Sequence, residues 1–434
     1  MKKNDWHYIT LYAFIYAALG AISPFFGQHL RALGFSGTRI GIVTAGGTTV
    51  AILTAAFWGN RYGKSKNKKR FFLKLCLCAA IIPLALCFAK EFWIVLLFFC
   101  ALHFFQAPIL AFIDAMVIED GQPFGAVRKW GAAGYAVGVF LTGKAVGLWD
   151  LTTIFLLYTA GFCVCAVILL HLLRKQRGLE IQAMRARPAD VPVLSHTPSV
   201  PDSASAPVSD SAADSASAAP APGSCAAAAS DTPDSRAPGP ATLTAHLLQL
   251  LSNKTYLKLL VCAFLLCGTT VANNVYFGFL LIQGGGTVAG IGFAFLLMAG
   301  SEVPFMAWSA KLAGRFTLEK TLLASMIVAA VRFAWYATGP PAAMLLGFFF
   351  LQGMVNGILL VEMVRYIAKV TEQEKLGLAV SVYYGAANLS AIVCQFLGGV
   401  ILDFFGIGGV YLFFAAMNAT GVALYVAQRL YKGS

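Results

Sequence analysis

Apolar positions in this chain fall in long unbroken runs, not in the alternation of a strand or the one-sided stripe of a soluble helix. Such runs occupy 8–33, 38–59, 71–89, 92–118, 127–148 and 151–173, and, after a gap, 255–282, 288–312, 319–338, 342–368, 376–402 and 407–430. A helix of about 18 or more apolar residues is long enough to cross a ~30 Å hydrocarbon core. A lipid-exposed backbone must satisfy its own hydrogen bonds, which leaves only helices and closed barrels. The pattern predicts an all-α membrane protein with twelve transmembrane helices. The first run is too long for a signal-peptide core and lacks a convincing cleavage site, so it is read as a retained helix.

Composition sharpens this picture. The chain has 434 residues, 59% hydrophobic and 12% charged, against about 25% charged in soluble domains. The net charge of +13 is placed as a topology signal and not as a nucleic-acid patch. Arg61, Lys64, Lys66, Lys68, Lys69 and Arg70 crowd one short loop, the positive-inside signature of a cytoplasmic connection. An even number of crossings puts both termini on that side. The same side collects Lys2, Lys3, Arg128, Lys129, Arg174, Lys175, Arg177, Lys311, Arg315, Lys369, Lys375, Arg429 and Lys432, while the loops at 34–37, 283–287 and 339–341 carry no charge. The expectation is a multi-pass protein of the cell membrane with cytoplasmic termini. Nine of the ten cysteines lie inside apolar runs, without metal-site spacing or paired histidines, and such cysteines act as small hydrophobes.

The gap has its own chemistry. Residues 178–245 are rich in Ala, Ser, Pro and Asp, with almost no large apolar side chain, so they cannot offset their ordering entropy by burial. This predicts a disordered cytoplasmic linker between an N-terminal six-helix half (1–177) and a C-terminal one (246–434). The stretch "LTAHLLQLL" at 243–251 reads either as a short amphipathic helix on the membrane or as the fraying start of the seventh helix. The halves resemble each other. A shift of 254 residues lays Arg61 on Arg315 and "GAAGY" (131–135) on "GAANL" (385–389). Two parallel repeats of this kind place a binding site between them near the midplane.

Two stretches carry a family resemblance. "AFWGNRYGKSKNKKR" (56–70) resembles the loop between helices two and three of the major facilitator superfamily, roughly G-x-x-x-D-R-x-G-R-R; Arg61 and Gly63 match, and Asn60 stands for the Asp. The resemblance makes Asn60, Arg61, Gly63 and the second-copy Arg315 a gating loop. "APILAFIDAMVIEDGQPFGAVRKWGAAGYAVG" (107–138) resembles the branch that holds lactose permease, phenylpropionate permease and nucleoside–proton symporters. Pro108, Asp114, Ala115, Gly125, Arg128, Trp130, Gly131 and Gly134 fit its pattern. Glu302 and Arg332 resemble that branch's helix-eight Glu and helix-nine Arg. The helix-ten His and Glu of lactose permease fall on Gln352 and Val355, and its helix-seven acids on Asn274 and Phe277. A galactoside permease is therefore not expected, and the phenylpropionate and nucleoside members are nearer. The resemblance implies the major facilitator fold and solute transport by alternating access.

Buried polar groups locate the chemistry. Glu302 is the only charged residue between Lys258 and Lys311, and an ionised carboxylate at bilayer depth costs at least ~2.5 kcal/mol. It lies nine residues before Lys311, ~13.5 Å along a helix, and Arg332 lies twelve after Lys320, ~18 Å. That difference is within reach of two long side chains, so the pair is expected either as a static bridge or as a protonatable coupling site. Asp114 and Arg128 form a second expected pair, structural or substrate-binding, near the helix ends where charge is cheap. Glu362 and Arg365, three apart, are expected to pair with each other. Asn273, Asn274, Gln352, Asn356 and Asn388 are the cavity candidates, with His103 and Gln106 weaker. The Tyr8, Tyr12 and Tyr16 stripe reads as core packing, and Gly134 with Gly138 as a helix-packing face.

A catalytic Ser/His/Asp set, a phosphate loop and a metal cluster are all missing from the sequence, so neither an enzyme nor a cofactor is expected. The leading expectation is a proton-coupled symporter importing a small organic solute. Proton-driven efflux of drugs or metabolites and a non-transporting membrane sensor are the alternatives. The expected partners are that solute, H+ and the lipid bilayer, with no nucleic acid, and the chain is expected to act as a monomer.

Overall fold

A computed structural model describes residues 5–185 and 240–432. Among them the secondary structure is entirely helical. The first crossing is α1 (Asp5–Ile22) plus α2 (Phe26–Ala32), interrupted at Ser23-Pro24, where proline cannot donate a backbone hydrogen bond. α3 (Gly37–Gly63) and α4 (Lys68–Leu86) follow. The fourth crossing is α5 (Phe92–Gln106) and α6 (Ile109–Glu119), divided just before Ile109 by Pro108; α7 (Phe124–Leu148) and α8 (Thr153–Arg185) complete the first bundle. The second contains α10 (Lys254–Gln283), α11 (Val288–Phe316), α12 (Leu318–Ala337), the divided pair α13 (Ala342–Phe348) and α14 (Phe350–Val370), and α15 (Leu376–Ala427).

α15 holds two crossings. At Gly406 the backbone takes φ 67° and ψ −172°, a region essentially reserved for glycine, and the chain reverses there. α4 has four cations in its first two turns, so it is the least apolar crossing, yet it packs between α5 and α8. With these two counted, the described residues contain the twelve crossings that the apolar runs predict. Polar caps fix several starts: Asn67 accepts from the Arg70 N–H at 3.0 Å, and Asn253 from the Thr255 and Tyr256 N–H groups at 3.1 and 3.2 Å.

Two differences concern the middle of the chain. α8 runs to Arg185, well past the apolar run that ended at 173, because hydropathy marks where a helix leaves the membrane and not where it stops. α9 (Pro240–Ser252) is a separate helix, ended by the Asn253 cap, with Leu250 buried and Leu248 exposed. Residues 186–239, most of the predicted linker, lie outside the described residues, as do Lys2 and Lys3.

The two bundles meet along two seams, α3 with α15 and α7 with α11. Both are closest at the end that carries the turns at Gly34, Gly285, Gly339 and Gly406, here the glycine-turn end. A Cβ at Gly41 would stand 2.7 Å from the Gln395 carbonyl, and one at Gly143 2.9 Å from the Gly292 Cα. A single apolar core joins the bundles there, including Tyr276, Phe277, Phe295 and Phe333. At the opposite, basic end, the second bundle has a core of its own around Tyr256, Met326, Met363 and Tyr366. The molecule is thus sealed at the glycine-turn end.

Within the first bundle, Gly134 and Gly138 face Ala13 and Ala17 of α1, the close helix approach that their spacing predicts. At the basic end the repeats use ion pairs of opposite sense. Lys68 and Lys69 at the start of α4 bind Glu119 and Asp120 at the end of the fourth crossing; in the second bundle Glu319 opens α12 and binds Lys369 of α14 at 2.7 Å.

Candidate transport site

The tyrosine stripe of α1 is more than packing. Tyr8 donates to Asp120 and Tyr12 donates to Asp114. The Arg128 guanidinium donates to the other Asp114 oxygen at 3.0 Å and lies over the Phe124 ring. The predicted Asp114–Arg128 pair is therefore formed. Both side chains are only about one-tenth exposed (10% and 11%), so it is not the cheap interfacial pair that the helix ends suggested. Position 131 explains the arrangement: a Cβ there would stand 2.8 Å from the Tyr16 ring, and its absence lets Tyr16 lie against α7 with its hydroxyl facing Arg128.

Glu302 faces this group from the other bundle. It lies on α11 between the stripe packed on α14 (Met298, Ser301) and the stripe packed on α7 (Ala289, Gly292). It is 8% exposed, and among the described residues it has no hydrogen bond or ion pair. Tyr16 and Tyr135 are within electrostatic range of its carboxylate. Gly357 brings α14 against the backbone here, its Cβ position being 2.7 Å from the Glu302 carbonyl oxygen.

The predicted Glu302–Arg332 pair is not formed. Arg332 points into the second bundle, where it donates to Gln352 and lies 4.5 Å from the Phe333 ring centroid and 5.4 Å from that of Tyr336. Among the described residues its Nε and second terminal nitrogen have no hydrogen-bond partner. Depth along two helices was a sound basis for proximity but says nothing about rotation, and α12 turns Arg332 away from the interface.

The other candidates divide. Gln352 donates to Asn356 at 3.3 Å, and Asn356 contacts the Met298 sulfur at 4.0 Å. Asn273, fully buried, accepts from Tyr411 at 2.9 Å. These form one polar cluster around Arg332, distinct from the Glu302 group. Asn274 is buried and Asn388 half-buried. Gln106 accepts from Tyr158 at 3.0 Å, and His103 bonds within its own helix to Phe99. Glu362 and Arg365 pair at 3.0 Å, as their spacing predicts. Asn60, Arg61, Gly63 and Arg315 are exposed at the basic end.

Sequence reasoning missed the contacts that seal the glycine-turn end. Asp403, after the eleventh crossing, accepts from the N–H groups of Gly37 and Thr38 at 2.5 and 2.7 Å and from the Thr38 hydroxyl at 2.6 Å. Deeper in the same seam Thr48 donates to Gln395 at 3.0 Å. The only available signal was an acid beside a glycine turn, opposite the "SGT" start of α3.

Comparison with known proteins now decides the family. The model of the MFS_1 like family matches residues 5–413. The chain belongs to that family. It is thus a membrane-embedded transporter of the major facilitator superfamily, with the fold that the sequence resemblance implied. A maltose permease of Geobacillus stearothermophilus is 27% identical over 96% of this chain and 93% of its own. A probable 3-phenylpropionic acid transporter of Escherichia coli (strain K12) is 25% identical over 40% of this chain and 46% of its own. The crystal structure of the nucleoside transporter NupG shares the fold, with a TM-score of 0.73, 14% identity and full coverage of both chains. One match over nearly the whole chain is thus to a sugar permease, whereas the motifs had pointed toward the phenylpropionate and nucleoside members.

Proposed function

We propose that this transporter imports a small, uncharged, hydroxyl-bearing solute together with a proton, with Glu302 as the proton site. The observation that carries the reading is Glu302 itself: a buried carboxylate without an ion-pair partner, on the interface between the bundles and opposite Tyr16 and Tyr135. An ionised carboxylate so placed is costly, and protonation removes the cost. Asp114 and Arg128, with Tyr12 and Tyr16, offer a carboxylate, a planar guanidinium and phenols, the donors and acceptors that hydroxyl groups need. Arg128 is already paired with Asp114, so this group offers an anionic solute no uncompensated cation, which favours an uncharged one. The full-length similarity to a maltose permease supports the same class.

With the basic end in the cytoplasm, this structure is the form closed outward. Opening and closing the seams would then expose Glu302 to each side in turn. Glu302→Gln keeps the size of the side chain but cannot release a proton. In proteoliposomes it is expected to abolish uphill accumulation of solute under an imposed proton gradient while preserving exchange of labelled for unlabelled solute. Uphill accumulation by the glutamine variant would refute Glu302 as the coupling site. Accumulation by wild type only when the gradient is reversed would establish efflux instead.

A further inference from the structure

The basic end carries a cavity that the transport site does not use. It has a volume of about 430 Å3 and is lined by Phe57, Asn60, Arg61, Lys64, Ser65 and Phe71, from the last turns of α3, the turn after it and the start of α4. The cations in this corner differ in their partners. Lys68 and Lys69 are paired with Glu119 and Asp120. Arg61 and Lys64, which line the cavity, pair with no acid among the described residues. No acid lines the cavity either.

Asn60 is the reason. It stands where the resembling loop pattern has Asp, and an amide in that place leaves two cations uncompensated. The walls are as telling as the charge. Phe71 is one wall; Phe57, the other, is 46% exposed and has the Arg61 guanidinium over its ring at 5.6 Å. The site lies at the end of a membrane-crossing helix, where one side meets headgroups and the other meets acyl chains.

We propose that this cavity binds the phosphate headgroup of an anionic phospholipid from the leaflet at the basic end. Arg61 and Lys64 hold the phosphate oxygens, and the Ser65 hydroxyl and Asn60 amide are placed to donate to them. Phe57 and Phe71 cover the glycerol and upper acyl carbons. A free phosphate ion would use the cations but gain nothing from the phenylalanines. In effect, the lipid supplies the negative charge that position 60 lacks.

Native mass spectrometry of the full chain, loaded with phosphatidylglycerol or phosphatidylcholine, tests this directly. Each basic residue near an anionic headgroup is worth about fivefold in binding. Wild type should retain phosphatidylglycerol over phosphatidylcholine, and Arg61→Gln with Lys64→Gln should weaken that preference by about 25-fold. Asn60→Asp keeps both cations and the fold, and should weaken it by about fivefold or more. Lys68→Gln with Lys69→Gln, which alters charges already paired, should change it little. Equal phosphatidylglycerol retention by wild type, the Arg61/Lys64 variant and Asn60→Asp would overturn the proposal. Displacement of the lipid by millimolar inorganic phosphate would also overturn it, in favour of a free-phosphate site.

Discussion

Asp403→Ala tests the seal at the glycine-turn end. The carboxylate caps α3 from the other bundle, accepting from two backbone N–H groups and one hydroxyl at 2.5 to 2.7 Å. Donors and acceptor sit on opposite bundles, so these bonds exist only while that end is closed. An N-terminal cap is worth about 0.5–2 kcal/mol, and a negative charge at a helix start adds a few tenths more. Asp403 is exposed, so screening keeps the total near ~1 kcal/mol. Removing it should raise the open-to-closed ratio at this end about fivefold. Asp403→Asn, which keeps an acceptor but not the charge, should raise it about twofold. Spin labels on Arg31→Cys and Phe404→Cys, both exposed positions at this end in opposite bundles, report the open population as a longer interlabel distance in a background without native cysteines. The gain in Asp403→Ala should shrink as salt is raised in wild type, because salt weakens the wild-type cap. An unchanged distance distribution in a folded Asp403→Ala protein would mean that the rest of the seam holds the end shut without the cap.

Two further outcomes follow from the first bundle. Arg128→Lys keeps the charge but loses the planar guanidinium that donates to one Asp114 oxygen and faces Tyr16; solute affinity should fall about tenfold or more at normal expression, and unchanged affinity would make the pair purely structural. Gly134→Ala places a methyl group against the Ala13 backbone, where no flexible side chain can give way. It should cost about 1–3 kcal/mol, read as a lower thermal midpoint in detergent, and an unshifted midpoint would show that α1 and α7 can separate freely.

The sequence made some of this legible for clear physical reasons. Crossings were readable because apolar length is a one-dimensional property, and Asp114 with Arg128 because a compact motif holds both, 14 residues apart. The breaks were less readable: Pro108 announces the one in the fourth crossing, but nothing comparable marks the one at Phe349. The Glu302–Arg332 expectation failed because rise per residue fixes depth but not facing. The cap on α3 was out of reach, since Thr38 and Asp403 are 365 residues apart and an acid beside a turn is ordinary on its own. Gln352 was found, but as a cavity residue and not as the group that receives Arg332.

The cap also makes the two seams unequal. By the internal repeat, the counterpart of Asp403 falls beside Asp150, at the end of α7, facing the start of α11. Asp150 instead accepts from Leu151 and Thr152 within its own turn, at 2.6 and 3.0 Å, and among the described residues bonds to nothing across the interface. The α3–α15 seam is therefore fastened by a charged cap as well as by shape, whereas among the described residues no hydrogen bond or ion pair joins α7 to α11. Dissolved salt can loosen the first and leaves the second unchanged. A molecule built from two similar halves thus has one edge that responds to the ionic strength of the compartment it faces, and a hinge-like edge that does not.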